Sequence, residues 1–247
     1  MLGRDHALLG AVAYLGIAPL VVPHMPPAEL ATGSMVCAAF ALLPDIDEPH
    51  SLVSTKLGPL SEAVSRVTNK LSGGHRHATH SALFVAIVGC LAVLSQHWRY
   101  SSVAFVVASG FMVLRIIVPF GLAKRGMLAL LPIAAAGWWV WSVPTPRWWL
   151  PITAMSGVFL HLVGDMLTKE GVPLLWPQGT HLAVPILGHT DSAREQGLAA
   201  VMSVAIAVLA WLFVVIPAAH ALTHGALSQD YASLREHLHS IMHWQFP

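Results

Sequence analysis

The sequence predicts an all-α fold: a polytopic helical membrane protein with about six or seven hydrophobic helices and a metal site at helix ends on one membrane face. Three observations lead there. First, 55% of the 247 residues are hydrophobic and only 10% are charged, with a mean hydropathy of +0.66. A typical soluble domain is about 25% charged, so a lipid bilayer is the simplest solvent for this chain. Second, the apolar residues gather into discrete segments of helical length. Third, the chain carries 15 histidines, and several stand beside carboxylates where apolar segments begin or end.

The first apolar run, Ala7 to Pro23, has no small-residue cleavage site after it and reads as a retained helix rather than a signal peptide. Others follow at about Leu30 to Leu43, Ser81 to Leu94, Val103 to Phe120, Met127 to Val143, Trp149 to Leu167 and Leu198 to Ala219. Some are shorter than the ~20 residues of an upright span, so tilt or burial within the bundle is expected for them.

Basic residues give an independent reading of sidedness, because cytoplasmic loops collect Lys and Arg. If the seven segments alternate, one side receives Arg4, Lys56, Arg66, Lys70, Arg76, Lys124, Arg125, Lys169 and Arg194. The other receives Arg99, Arg147 and Arg235. That bias predicts a cytoplasmic N-terminus in a multi-pass protein of the bacterial inner membrane. Trp138, Trp139, Trp141, Trp148 and Trp149 bracket the Pro144 to Pro146 break, as an interfacial belt on the opposite side would; core packing would also place them there.

Two polar stretches, Pro44 to Ala78 and Thr168 to Gly197, fall on the side predicted to be cytoplasmic. The tail has Tyr231, Leu234, Leu238 and Ile241 at helical spacing. The expected organisation is one membrane-embedded domain, residues 1–219, and an amphipathic helical tail, residues 220–247. With 13 Lys plus Arg against 12 Asp plus Glu, nothing supports binding to a nucleic-acid backbone. Cys37 and Cys90 lie in apolar runs and indicate neither a disulfide framework nor a CxxC metal site.

Three motifs carry candidate chemistry. In Leu42-Leu-Pro-Asp-Ile-Asp47, two carboxylates follow a helix-ending proline; in an extended segment Asp45 and Asp47 point to one side, where a cation would relieve their repulsion. In Gly73-Gly-His-Arg-His-Ala-Thr-His-Ser81, three imidazoles and a guanidinium precede an apolar helix. Thr79 is the expected N-cap, His75 and His80 are candidate ligands, and Arg76 suits an anion such as phosphate. In His161-Leu-Val-Gly-Asp165, the i, i+4 spacing puts imidazole and carboxylate on one helix face inside an apolar segment. Polar packing at helix ends is the competing reading of each. His6 and Glu195, each just before an apolar run, fall on the same predicted face. Four histidines and four carboxylates converging there have the nitrogen and oxygen mix of a divalent-metal hydrolase site. The other histidines, His77 and His189 included, stay outside the ligand set.

With His6-Ala-Leu-Leu9, the three motifs above and Gly171-Val-Pro-Leu-Leu-Trp-Pro177 in this order, the chain resembles the YdjM-type family of bacterial inner-membrane metal-dependent hydrolases over roughly residues 1–200. That family is in turn distantly similar to the zinc-dependent phospholipase C and single-strand nuclease superfamily, which binds zinc with an HxxxD pair like His161 and Asp165. The resemblance implies phosphoester hydrolysis. This chain has no second HxxxE pair of proper spacing and no N-terminal Trp ligand, which implies one or two ions rather than three.

The expected function is therefore hydrolysis of a phosphoester, a phospholipid headgroup or lipid-linked phosphate, by a water activated on zinc, with Mn2+ or Mg2+ as alternatives. The metal ligands are His6, Asp45, Asp47, His75, His80, His161 and Asp165. Asp45, Asp47, Arg76 and Glu195 are the catalytic candidates. The alternatives are a metal-binding transporter or sensor and a noncatalytic membrane protein with a structural metal.

Overall fold

The computed structural model describes residues 1–117, 126–143 and 147–223. The tail motif from Tyr231 and the Pro144 to Pro146 break lie outside them. Seven helical passages account for the seven apolar segments: α1 (Gly3–Val21), α2 (Pro27–Phe40), α5 (Ala82–Leu94), α6 (Arg99–Ile117), α7 (Gly126–Ser142), α8 (Trp149–Met166) and α9 (Ala193–Ala210). The last continues through a π-turn, Trp211–Val215, into α10 (Ile216–Thr223). Two short helices, α3 (Leu52–Lys56) and α4 (Pro59–Ser72), sit in the first polar stretch.

Among the described residues, three stretches are long and apolar enough to cross a membrane: Pro27–Asp47, Arg99–Ile116 and Ala193–Ala221. Ala82–His97 and Leu130–Ser142 are shorter apolar helices. The first stretch is 61% buried and the last 11%, so α2 lies at the centre of the bundle and α9 turns most of its surface to lipid. α2 packs on α1, α6 and α8, while α8 also carries α5 and α1 also carries α9.

Lipid tails are as apolar as leucine, so helices in a bilayer associate through close packing more than through the hydrophobic effect. Small residues permit that here. A Cβ at Gly10 of α1 would meet the Cys37 carbonyl of α2 at 2.8 Å, and one at Gly157 of α8 would run into the same carbonyl and Phe40. The crossings of α2 with α1 and α8 are thus backbone to backbone. They bring the start of α1, the end of α2 and the end of α8 to one end of the bundle.

That end also carries Arg4, Lys56, Arg66, Lys70, Arg76, Lys169 and Arg194. At the opposite end Trp98, Tyr100, Trp138 and Trp148 are exposed, as side chains at a membrane interface are; Trp149 is instead a core residue. Residues 168–192 lie across the first end, held by the bridges Thr168 with Gly188 and Val172 with Leu182. The Ala82 amide donates to the Leu174 carbonyl, which ties this cover to the start of α5.

Candidate metal centre

Pro44 cannot continue α2, and the chain tightens into a 3-10 turn, Leu43–Asp47. With about three residues per turn, positions two apart diverge. Asp45 and Asp47 therefore part instead of sharing one side as in an extended segment. Asp45 faces the histidines from the front, with Oδ1 3.7 Å from His80 Nε2 and 3.6 Å from His161 Nε2. Asp47 stands behind them: its Oδ1 is 2.8 Å from His75 Nδ1, and its Oδ2 accepts from the Thr79 hydroxyl and lies 3.4 Å from His80 Nδ1.

The helix cap is also displaced from its expected place. Ser81, not Thr79, caps α5 by accepting the Phe84 amide. Thr79 sits in a 3-10 turn, Ala78–His80, where its hydroxyl serves Asp47. This keeps His80 outside the helix and fully buried, with Nδ1 toward Thr79 and Asp47 and Nε2 toward the site. Burial disfavours the imidazolium, but the carboxylates of Asp45, Asp47 and Asp165 outweigh it and push the His80 pKa up to about 9.

His161, on α8, has its Nδ1 2.7 Å from the Ala41 carbonyl. That nitrogen must carry the hydrogen, because a carbonyl only accepts, so Nε2 presents a lone pair to the site. The Nε2 atoms of His80 and His161 are 3.1 Å apart. Asp165, one turn on, has Oδ2 at 3.6 Å from each of them. Its Oδ1 is already engaged by the Met1 nitrogen at 2.7 Å and by Arg76 at 3.1 Å, while the buried Oδ2 has no hydrogen-bond partner.

His6 reaches this group from α1. Its ring stacks on that of His161, centroids 3.7 Å apart, with Nε2 3.2 Å from Asp165 Oδ1. Neither ring nitrogen has a partner in hydrogen-bond geometry. The approach depends on Gly164, where a Cβ would lie 3.0 Å from His6 Nδ1.

The donors fit a divalent ion. Zinc bonds of about 2.0–2.1 Å set the edge of a tetrahedron at roughly 3.3–3.4 Å. The donor atoms His80 Nε2, His161 Nε2 and Asp165 Oδ2 are 3.1–3.6 Å apart, and Asp45 Oδ1 stands 3.6–3.7 Å from both imidazole nitrogens. Three overlapping sets have donors within 4.8 Å of one another: His6, Asp45 and His161; Asp45, His75 and His80; and His80, His161 and Asp165. Asp45 belongs to two of them, so its position suits a bridge between neighbouring ions. Asp47 and the Ala41 carbonyl hold the far sides of the imidazoles, as orienting groups do in metal sites.

A cleft of about 790 Å³ reaches the cluster, lined by Asp45, His75 and Arg76 with Gly3, Glu48 and Glu170 among others. Arg76 adopts a left-handed backbone, φ 58°, and spans from Asp165 to Glu170, 2.9 Å from the latter. Glu195 is not brought into the cluster. It is buried, accepts the Leu2 and Asp191 amides at 2.6 and 2.8 Å, and holds the start of α1 against α9. His77 folds back on the His75 carbonyl, and His189 lies 3.0 Å from Lys169 Nζ. The motifs mark Thr79 as a helix cap rather than as a partner of Asp47, and they do not point to the Ala41 carbonyl or to the role of Gly164. The small residue between His161 and Asp165 is the visible signal for Gly164.

A helical membrane bundle agrees with the comparisons. A family model described as YdjM inner membrane protein matches residues 1–121 and 126–222. The chain belongs to this family. It is 29% identical over 150 residues to inner membrane protein YdjM of Escherichia coli (strain K12), a match covering 59% of this chain and 50% of that protein. The figures are the same for inner membrane protein YdjM of Shigella flexneri. The chain thus spans about half the length of the curated YdjM proteins it matches. No solved structure matches it.

Proposed function

We propose that this member of the YdjM family is a membrane-bound, metal-dependent hydrolase of phosphoesters. The supporting observation is the convergence of His80, His161 and Asp165, with donor atoms 3.1–3.6 Å apart, beside Asp45, which opens into a surface cleft. His80, His161 and Asp165 would hold one divalent ion, zinc by the nitrogen and oxygen mix, with Mn2+ or Mg2+ as alternatives. Asp45 would help hold a neighbouring ion with His6 and His161 or with His75 and His80. Such ions supply Lewis acidity toward a phosphoryl oxygen and a water acidic enough to attack at neutral pH.

The protein's own groups do the rest. Arg76 keeps Nη2 on Asp165 and, freed from Glu170, offers Nη1 to a non-bridging oxygen of a phosphoester. Asp45, at the boundary of cleft and cluster, is placed to accept a proton from water entering by the cleft. Asp47 keeps the His75 and His80 rings aimed inward. The site lies at the end of a membrane bundle, so the substrates considered first are a phospholipid headgroup and a lipid-linked phosphate. The basic residues at this end favour the cytoplasmic face.

The test is hydrolysis of bis-p-nitrophenyl phosphate and of phospholipid vesicles by zinc-loaded protein. Expected are turnover abolished by chelation and by Asp45→Asn, and a raised KM in Arg76→Ala. Stoichiometric zinc with no turnover of either substrate would contradict the hydrolase reading and favour a transport or structural role.

A further inference from the structure

The helix α4 belongs to neither the bundle nor the metal cluster, and its surface divides into three faces. At about 100° per residue, Ser61, Ser65, Thr68, Asn69 and Ser72 share the face turned to the protein; Ser65 and Ser72 are buried. Ser61 bonds the Ser54 and Gly58 carbonyls at 2.7 Å each, and α4 packs on α3 and the Leu43–Asp47 turn. Leu60, Val64, Val67 and Leu71 form a second face roughly 110° round the axis. They are between 46% and 80% exposed. Arg66 and Lys70 occupy a third face beyond them, also exposed.

A helix with one apolar exposed face, a polar protein-facing side and basic residues on the remaining side is built for a boundary between protein, lipid and water. Fourteen residues with two lysine or arginine side chains and a glutamate do not cross a bilayer. Yet α4 stands at the end of helices that do, beside the bilayer that encloses them, and its basic residues complement the phosphates of an anionic leaflet.

We propose that α4 is an interfacial helix, its Leu60–Leu71 stripe immersed at the acyl boundary and Arg66 and Lys70 at the headgroups. Its contacts carry that anchoring to the site. Asn69 Nδ2 donates to the Asp47 carbonyl at 2.6 Å, and the Asn69 carbonyl accepts the Gly74 amide at 2.9 Å. The bilayer thereby positions both Asp47 and the loop that bears His75 and Arg76. This holds whether or not the centre turns over substrate.

The experiment uses the full chain with Cys90→Ser, since Cys90 is exposed and Cys37 buried. Val67→Cys, Leu71→Cys and Ala63→Cys are labelled singly with an environment-sensitive fluorophore, all at exposed positions. The protein is reconstituted in phosphatidylethanolamine and phosphatidylglycerol vesicles with brominated acyl chains. The Val67 and Leu71 labels should emit to the blue and lose most of their intensity to bromine, while the Ala63 label keeps its own. Unquenched, water-like emission at Val67 and Leu71 would overturn the proposal. So would disulfide-linked dimers through those cysteines without quenching, which would make a second copy the occupant.

Discussion

On the proposed function, His80 would take one of two partners, a proton or a metal ion. Its folded pKa of about 9 exceeds the ordinary value near 6.5. Protonation therefore stabilises the metal-free fold fully below pH about 6.5, and that contribution disappears as pH rises through about 9. A shift of this size corresponds to about 3 kcal/mol. Chelator-treated protein in detergent should thus lose thermal stability between pH 6.5 and 9, and zinc affinity should rise over the same window as the proton leaves. Melting curves of wild type and His80→Gln measure this; a wild-type curve as flat as the variant's would contradict it. At this scale, the sequence showed which residue types matter through their spacing: His80, and His161 four positions before Asp165. It did not show which neighbour each carboxylate meets. Asp47 went behind the imidazoles because a 3-10 turn separates positions two apart. Glu195 went to the Leu2 and Asp191 amides because the start of α1 lies against it.

Among elements, the junction of α1 with α8 decides whether His6 can join the cluster. Gly164→Ala would set a methyl 2.8 Å from Met1 Sδ and 3.0 Å from His6 Nδ1. Overpacking of this kind costs about 1–3 kcal/mol, and here the ring that must move is a candidate ligand. A lower melting temperature and weaker zinc binding are expected together, whereas Gly179→Ala, with open space around it, should change neither. Normal zinc affinity in Gly164→Ala would remove His6 from the ligand set. The bundle helices were legible because long apolar runs have few other outcomes. The helix α4 was not, because its four exposed apolar residues are dispersed among serines and charges and its stretch reads as polar on average. Ser81 took the cap that Thr79 was expected to supply because the Thr79 hydroxyl was claimed by Asp47.

For the whole molecule, both polar stretches lie at the same end of the bundle as the candidate metal cluster. Cysteines replacing Lys70 and Lys169, in a Cys90→Ser background, should be shielded in intact cells from a membrane-impermeant maleimide. A cysteine at the opposite end, replacing His97, should be labelled. Labelling of Lys70→Cys and Lys169→Cys, with His97→Cys protected, would invert the orientation. Helix ends from distant parts of the chain converge on one cluster, which is proposed to hold an ion. Elemental analysis of detergent-purified protein tests it most directly, comparing wild type with His161→Ala and Asp165→Ala. At least one equivalent of zinc or another divalent metal is expected in the wild type and its loss in both variants, with helical content retained. Wild-type protein without bound metal that takes up none on addition would contradict it, leaving the cluster as polar packing at the end of the bundle.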